Sequence, residues 1–123
     1  MTDAIFAALE DAVALGNTLV VVRSGAATAE VAGGPLRRGQ EWLTLGDEGA
    51  GASHVHVKLS EIDALRFRQA EGRNAALDVL KANGEVIFSL SFRKTNSARA
   101  ETFDADRLAT VTARFGHLAE MPA

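Results

Sequence analysis

Apolar residues at Ile5, Leu9 and Val13, with Phe6 and Ala12 beside them, recur at helical spacing through DAIFAALEDAVALG. That spacing predicts a helix capped by Thr2 or Asp3 and stopped by Gly16. The period then changes. NTLVVVRSGAATAEVAGG sets strand-forming residues on both sides of SGA, the pattern of a hairpin that ends at Gly33, Gly34 and Pro35. Trp42 to Leu45 predicts a third strand, Gly46 to Ser53 a flexible loop, and His54 the opening of another strand. Alternation in that strand puts His54, His56 and Lys58 on one face and Val55, Val57 and Leu59 on the other.

In AALDVLKANGEVIFSLSF, Asn83-Gly84 offers the positive-φ residues of a tight turn between two apolar strands. Val86, Phe88, Leu90 and Phe92 alternate with Ile87, Ser89, Ser91 and Arg93, so one face is core and the other wetter. After the polar stretch KTNSARAETF, Leu108, Val111 and Phe115 form a second helical stripe, with Asp104 as N-cap and Gly116 as terminator. Strands follow one another without helices between them. The predicted class is therefore α+β, a mainly antiparallel β-sheet flanked by N- and C-terminal helices. No repeat or linker interrupts it, and residues 1–123 read as a single domain.

Composition narrows the function classes. With 47% hydrophobic and 24% charged residues and a formal net charge of -3, the chain is globular and its balance does not point to nucleic acid as a partner. The absence of cysteine removes disulfides, thiolate metal sites and thiol catalysis, and fits a reducing, cytoplasmic location. No apolar run approaches the roughly 20 residues that span a bilayer, so no membrane insertion is expected, and Asp3 stands where a secretion signal would be basic.

The chemistry is sparse. Histidines two apart on a strand project the same way, roughly 6 to 7 Å apart at Cα, and both can reach one ion. Further ligands for a bare metal would have to come from His117, Glu61 or Asp63; the alternative is a pair of polar residues on a solvated sheet face. No GxSxG occurs, and GDEGAGAS lacks the GK[ST] ending of a phosphate-binding loop. Arg66 and Arg68 share a strand face, where two guanidiniums can grip two carboxylates. The six Phe follow the apolar pattern into the core, and Trp42 is left open between core and ligand.

One resemblance gives these residues a common purpose. HVHVKLSEIDALRF…GRNAALDVLKANGEVIFSLSFRKTN is similar to the shared half of the haem iron utilisation superfamily, whose members include two-repeat HemS/ChuS-type proteins and the single-repeat ChuX/HutX type. The matching parts are His56 to Phe67, Leu77 to Leu80, Asn83-Gly84, Ile87 to Arg93 and Asp104 to Phe115, and coverage runs from about Asn17 onward. The first helix lacks the axial histidine of the two-repeat proteins, and FRKTN stands where GRD or GQR is common. The resemblance implies a large antiparallel sheet with flanking helices, a homodimer imitating the two-repeat proteins, and haem in a cleft between sheet and helices.

Haem needs an imidazole for iron, cations for two propionates and an apolar slot for the ring. On the resemblance, His56 and then His54 are the iron ligands. Arg66, Arg68 or Arg93 hold the propionates, and Trp42 or Phe67 touches the ring. The function so implied is haem binding and trafficking. Two alternatives stand beside it: a haem-degrading enzyme, and a structural, ligand-free dimer of the same fold that has lost the haem site; a different small ligand or another fold is what remains beyond these.

Overall fold

The computed structural model describes residues 1–47 and 49–120. Helix α1 (Asp3–Ala14) begins where the Thr2 hydroxyl accepts from the Ile5 N–H at 3.2 Å, and the chain turns away at Gly16, whose φ is +75°. The predicted hairpin follows as β1 (Thr18–Ser24) and β2 (Ala27–Ala32), with Gly25 at φ +58° in its turn. Next come β3 (Leu36–Arg38), β4 (Trp42–Gly46) and β5 (His54–Lys58), then β6 (Ala64–Arg68), β7 (Ala76–Leu80), β8 (Val86–Phe92) and α2 (Ala105–Phe115). The α+β class is as the pattern implied, with antiparallel pairing throughout.

The strands form two sheets, a five-stranded one in the order β2-β1-β8-β7-β6 and a three-stranded one in the order β3-β4-β5. Strand β3 has no counterpart in the sequence reading, because three residues are too few to show an alternation. In the β7–β8 turn only Gly84 takes positive φ, at +87°; Asn83 instead accepts from the Glu85 N–H through its side-chain oxygen at 3.0 Å. The last α-helix ends at Gly116, as expected, but without a left-handed cap. The glycine's backbone is right-handed (φ -58°), and the chain tightens into a 3-10 segment over Gly116–Glu120.

One core joins all of this. Val20, Leu65, Phe67, Leu77, Val79, Phe88, Leu90 and Phe92 line the inner face of the larger sheet. They meet Leu9 and Ala12 of α1, Val111 and Phe115 of α2, and Leu43, Leu45 and Val57 of the smaller sheet. Phe92 and Phe115 stack with centroids 5.5 Å apart, and burying a Phe fully contributes about 1.5–3 kcal/mol each. Arg107 ties α2 to the rest: its guanidinium donates to the carbonyls of Arg93 (2.7 Å), Gly16 (2.7 Å) and Asn17 (2.9 Å). Among the described residues, no helix is long and apolar enough to cross a membrane.

Candidate functional site

Strand β5 delivers the alternation expected of it: His54, His56 and Lys58 are exposed, and Val57 between them is buried. Antiparallel pairing with β4 sets Thr44 opposite His56 and Trp42 opposite Lys58. The Thr44 hydroxyl, itself buried, lies 2.9 Å from His56 Nδ1. When Nδ1–H donates to that hydroxyl, Nε2 carries the lone pair that a metal requires. Trp42 is 43% exposed, meets the His56 ring edge-on at 6.3 Å, and carries the Lys58 ammonium 5.8 Å from its own ring centre.

Trp42, His56 and Lys58 border an open groove of about 310 Å³ where β5 faces the ends of β1 and β8. Val22, Val55, Ile87 and Phe88 supply apolar walls, Lys58 and Lys81 two cations, and Glu61 one acid. Lys81 is also 3.8 Å from Glu85, a solvated contact of little strength.

His54 stands apart from this groove. Its Nδ1 lies 3.2 Å from the Asp47 carbonyl oxygen, and its ring packs on His56 at 4.7 Å between centroids. Rings in that contact leave no gap between them for a third planar group. Among the described residues, no group of three or more His, Cys, Asp or Glu is placed to hold a bare metal ion.

The remaining predicted residues lie elsewhere. Arg66 and Arg68 do share a face of β6, but both are turned to Asp78 of β7: Arg66 donates to Oδ2 at 2.9 Å, and Arg68 Nε donates to the two oxygens at 3.1 and 3.3 Å. Ser89 of β8 adds a third donor at 2.7 Å. Burial pushes the Asp78 carboxyl upward, but the donations from Ser89, Arg66 and Arg68 outweigh it and hold its pKa below the ordinary value. Phe67, between the two arginines, faces the other way and is 5% exposed in the core, so it has no free ring face to offer beside them. Arg93 and Arg68 border a separate recess on the outer face of the larger sheet.

The sequence reading missed Thr44, Lys81 and Asp78. Register alone reveals Thr44, and chain folding alone reveals Lys81. Asp78 left a readable trace: a single acid between Leu77 and Val79 in an apolar strand needs cationic company when buried.

Comparison with protein-family models gives no match, and comparison with curated proteins gives none. Among solved structures, protein AGR_C_4470 from Agrobacterium tumefaciens, a structural-genomics target, is similar with a TM-score of 0.63 at 20% identity; the match covers 94% of this chain and 66% of that one. At that identity the likeness is one of fold. The chain spans 66% of the length of that protein.

Proposed function

We propose that the chain is a haem-binding and haem-handing protein whose site is the groove beside His56. The observation that carries this reading is the conjunction, in one recess, of a tethered imidazole, two ammonium groups and apolar walls. Those are the complements of an iron, two propionates and a hydrophobic ring. His56 supplies the axial nitrogen, and the Thr44 hydroxyl holds the orientation of its ring through Nδ1. Lys58 and Lys81 replace Arg66, Arg68 and Arg93 as the propionate partners, since two of those arginines are held by Asp78. Trp42, Val55 and Ile87 exclude water from the ring. When bound, haem supplies a redox-active, Lewis-acidic iron.

The groove's size favours transfer over degradation. About 310 Å³ lies at the low end of the roughly 300–1,000 Å³ typical of small-molecule sites, so the groove grips one edge of a macrocycle and leaves the other accessible. Oxidative degradation needs a shielded open iron position and an electron source, which an open groove serves poorly. A second copy of the chain, in the homodimer the resemblance implies, is the natural cover for the exposed edge. Titration with hemin tests the site. The expected result is a saturable Soret shift that survives in His54→Ala and disappears in His56→Ala; no shift, or one that His56→Ala leaves intact, overturns the proposal.

A further inference from the structure

A second recess carries chemistry that haem binding does not use. It is a bowl of about 630 Å³ on the outer face of the larger sheet, and it shares no lining residue with the His56 groove. Its floor is Leu19 and Val21 of β1 with Ser89 and Ser91 of β8; its walls are the loops after β6 and after β8. Six cations line it, Arg23, Arg68, Arg73, Arg93, Lys94 and Arg99, against one carboxylate, Glu30. In a chain of net charge -3 this is a strong local segregation of charge. Of the six, only Arg68 makes an ion pair among the described residues; Arg23, Arg73, Arg93, Lys94 and Arg99 are exposed without one.

Two further observations mark the bowl as built. First, its walls are fastened to each other by buried side chains. Thr95 accepts from the Ala75 N–H at 2.8 Å and donates to the Phe92 carbonyl at 2.6 Å, and the Asn96 amide donates to the Gly72 carbonyl at 3.0 Å. The backbone positions that carry the loop cations are therefore set before any ligand arrives. Second, among the described residues just two non-glycine positions have left-handed backbone, Asn17 (φ 57°) and Lys94 (φ 68°), and both line this bowl. Glycine would fill position 94 without strain, whereas lysine stands there against its backbone preference.

We propose that this bowl binds a small molecule bearing several oxyanion charges, phosphoryl or carboxylate groups, at a site distinct from the haem groove. Guanidinium forks match both groups bidentately, and the serine and asparagine side chains of the floor and walls supply neutral hydrogen bonds. The lining holds no aromatic ring, so it offers no platform on which nucleic-acid bases stack. The compact volume fits a small anion better than a strand.

Calorimetric titration with tripolyphosphate and, separately, with citrate tests this. The expected result is saturable equimolar binding of at least one probe, weakened as salt is raised; the tighter probe assigns the phosphoryl or the carboxylate class. Arg73→Ala/Arg99→Ala weakens it by about tenfold or more, as loss of two charge-assisted contacts requires. Lys94→Gly weakens binding several-fold while Tm holds or rises, a combination that a purely structural lysine would not give. Lys58→Ala/Lys81→Ala, in the haem groove, leaves it unchanged. The proposal is overturned by no saturable binding of either probe, by binding that the arginine double variant retains, or by affinity for oligonucleotides that grows with their length.

Discussion

Asp78→Asn isolates the one buried charge of the larger sheet. The carboxylate is 2% exposed and accepts from Ser89, Arg66 and Arg68 at 2.7 to 3.3 Å. An amide keeps the shape, but it replaces one acceptor oxygen by a donor that must face either the guanidiniums or the Ser89 hydroxyl. Hydrogen bonds to a charged group are worth about 1.5–3 kcal/mol each, yet Arg66 and Arg68 keep 44% and 23% of their side-chain surface and recover hydration when released. The net expected loss is about 2–3 kcal/mol, close to the lower end for breaking a buried pair. For a chain of this length that lowers Tm by roughly 8–12 °C. Arg66→Ala, which removes a partly exposed partner and leaves Asp78 its other two donors, should cost less than about 1 kcal/mol. Chemical denaturation of both variants decides it. The reasoning fails if Asp78→Asn stays within about 0.5 kcal/mol of the parent, or if the two substitutions cost the same.

Three other outcomes follow from the same contacts. Because the folded state depresses the Asp78 pKa, its contribution is complete above the ordinary carboxylate range near 4 and is lost as pH falls through the lowered value, so the stability gap between parent and Asp78→Asn should be flat from about pH 5 to 8 and close in acid. Gly46 has φ +108°, and a Cβ there would sit 2.4 Å from the Ser53 carbonyl oxygen; Gly46→Ala should therefore disturb the β4–β5 pairing beside His54, lowering Tm and hemin affinity together. Thr44→Val removes the hydroxyl that holds His56 Nδ1 and should weaken hemin binding by about tenfold or more in a Soret titration, with Tm within a few degrees of the parent.

How much of this was legible depended on range. Local signals did well: the Ile5–Leu9–Val13 stripe, the hairpin around Gly25 and the alternation of His54, His56 and Lys58 all have the expected form, since each depends on neighbours in sequence. Long-range pairing was not legible. Nothing in TLVVVRS says that β1 lies beside β8, with Val20 opposite Leu90, or that the strands divide into two sheets. The same limit governed the sites. His56 and Trp42 do border one groove, but the cations beside them are Lys58 and Lys81, the latter brought in from the turn after β7. The arginine pair on β6 was read as ligand-facing, whereas the register sets Arg66 opposite Asp78. Phe67 could have been separated from the arginines by alternation alone, since adjacent strand residues face opposite ways. A net charge of -3 concealed the cationic bowl, because an average over 123 residues carries no positional information.

Emission from Trp42, the single tryptophan of the chain, tests the central claim most directly, because its indole stands 6.3 Å from the His56 ring. A porphyrin seated in that groove accepts its excitation energy efficiently. Hemin should extinguish the emission to a sharp equimolar endpoint in the parent, and far less completely at the same concentration in His56→Ala. Emission that persists when hemin absorbance has saturated, or identical quenching in both proteins, would contradict the account.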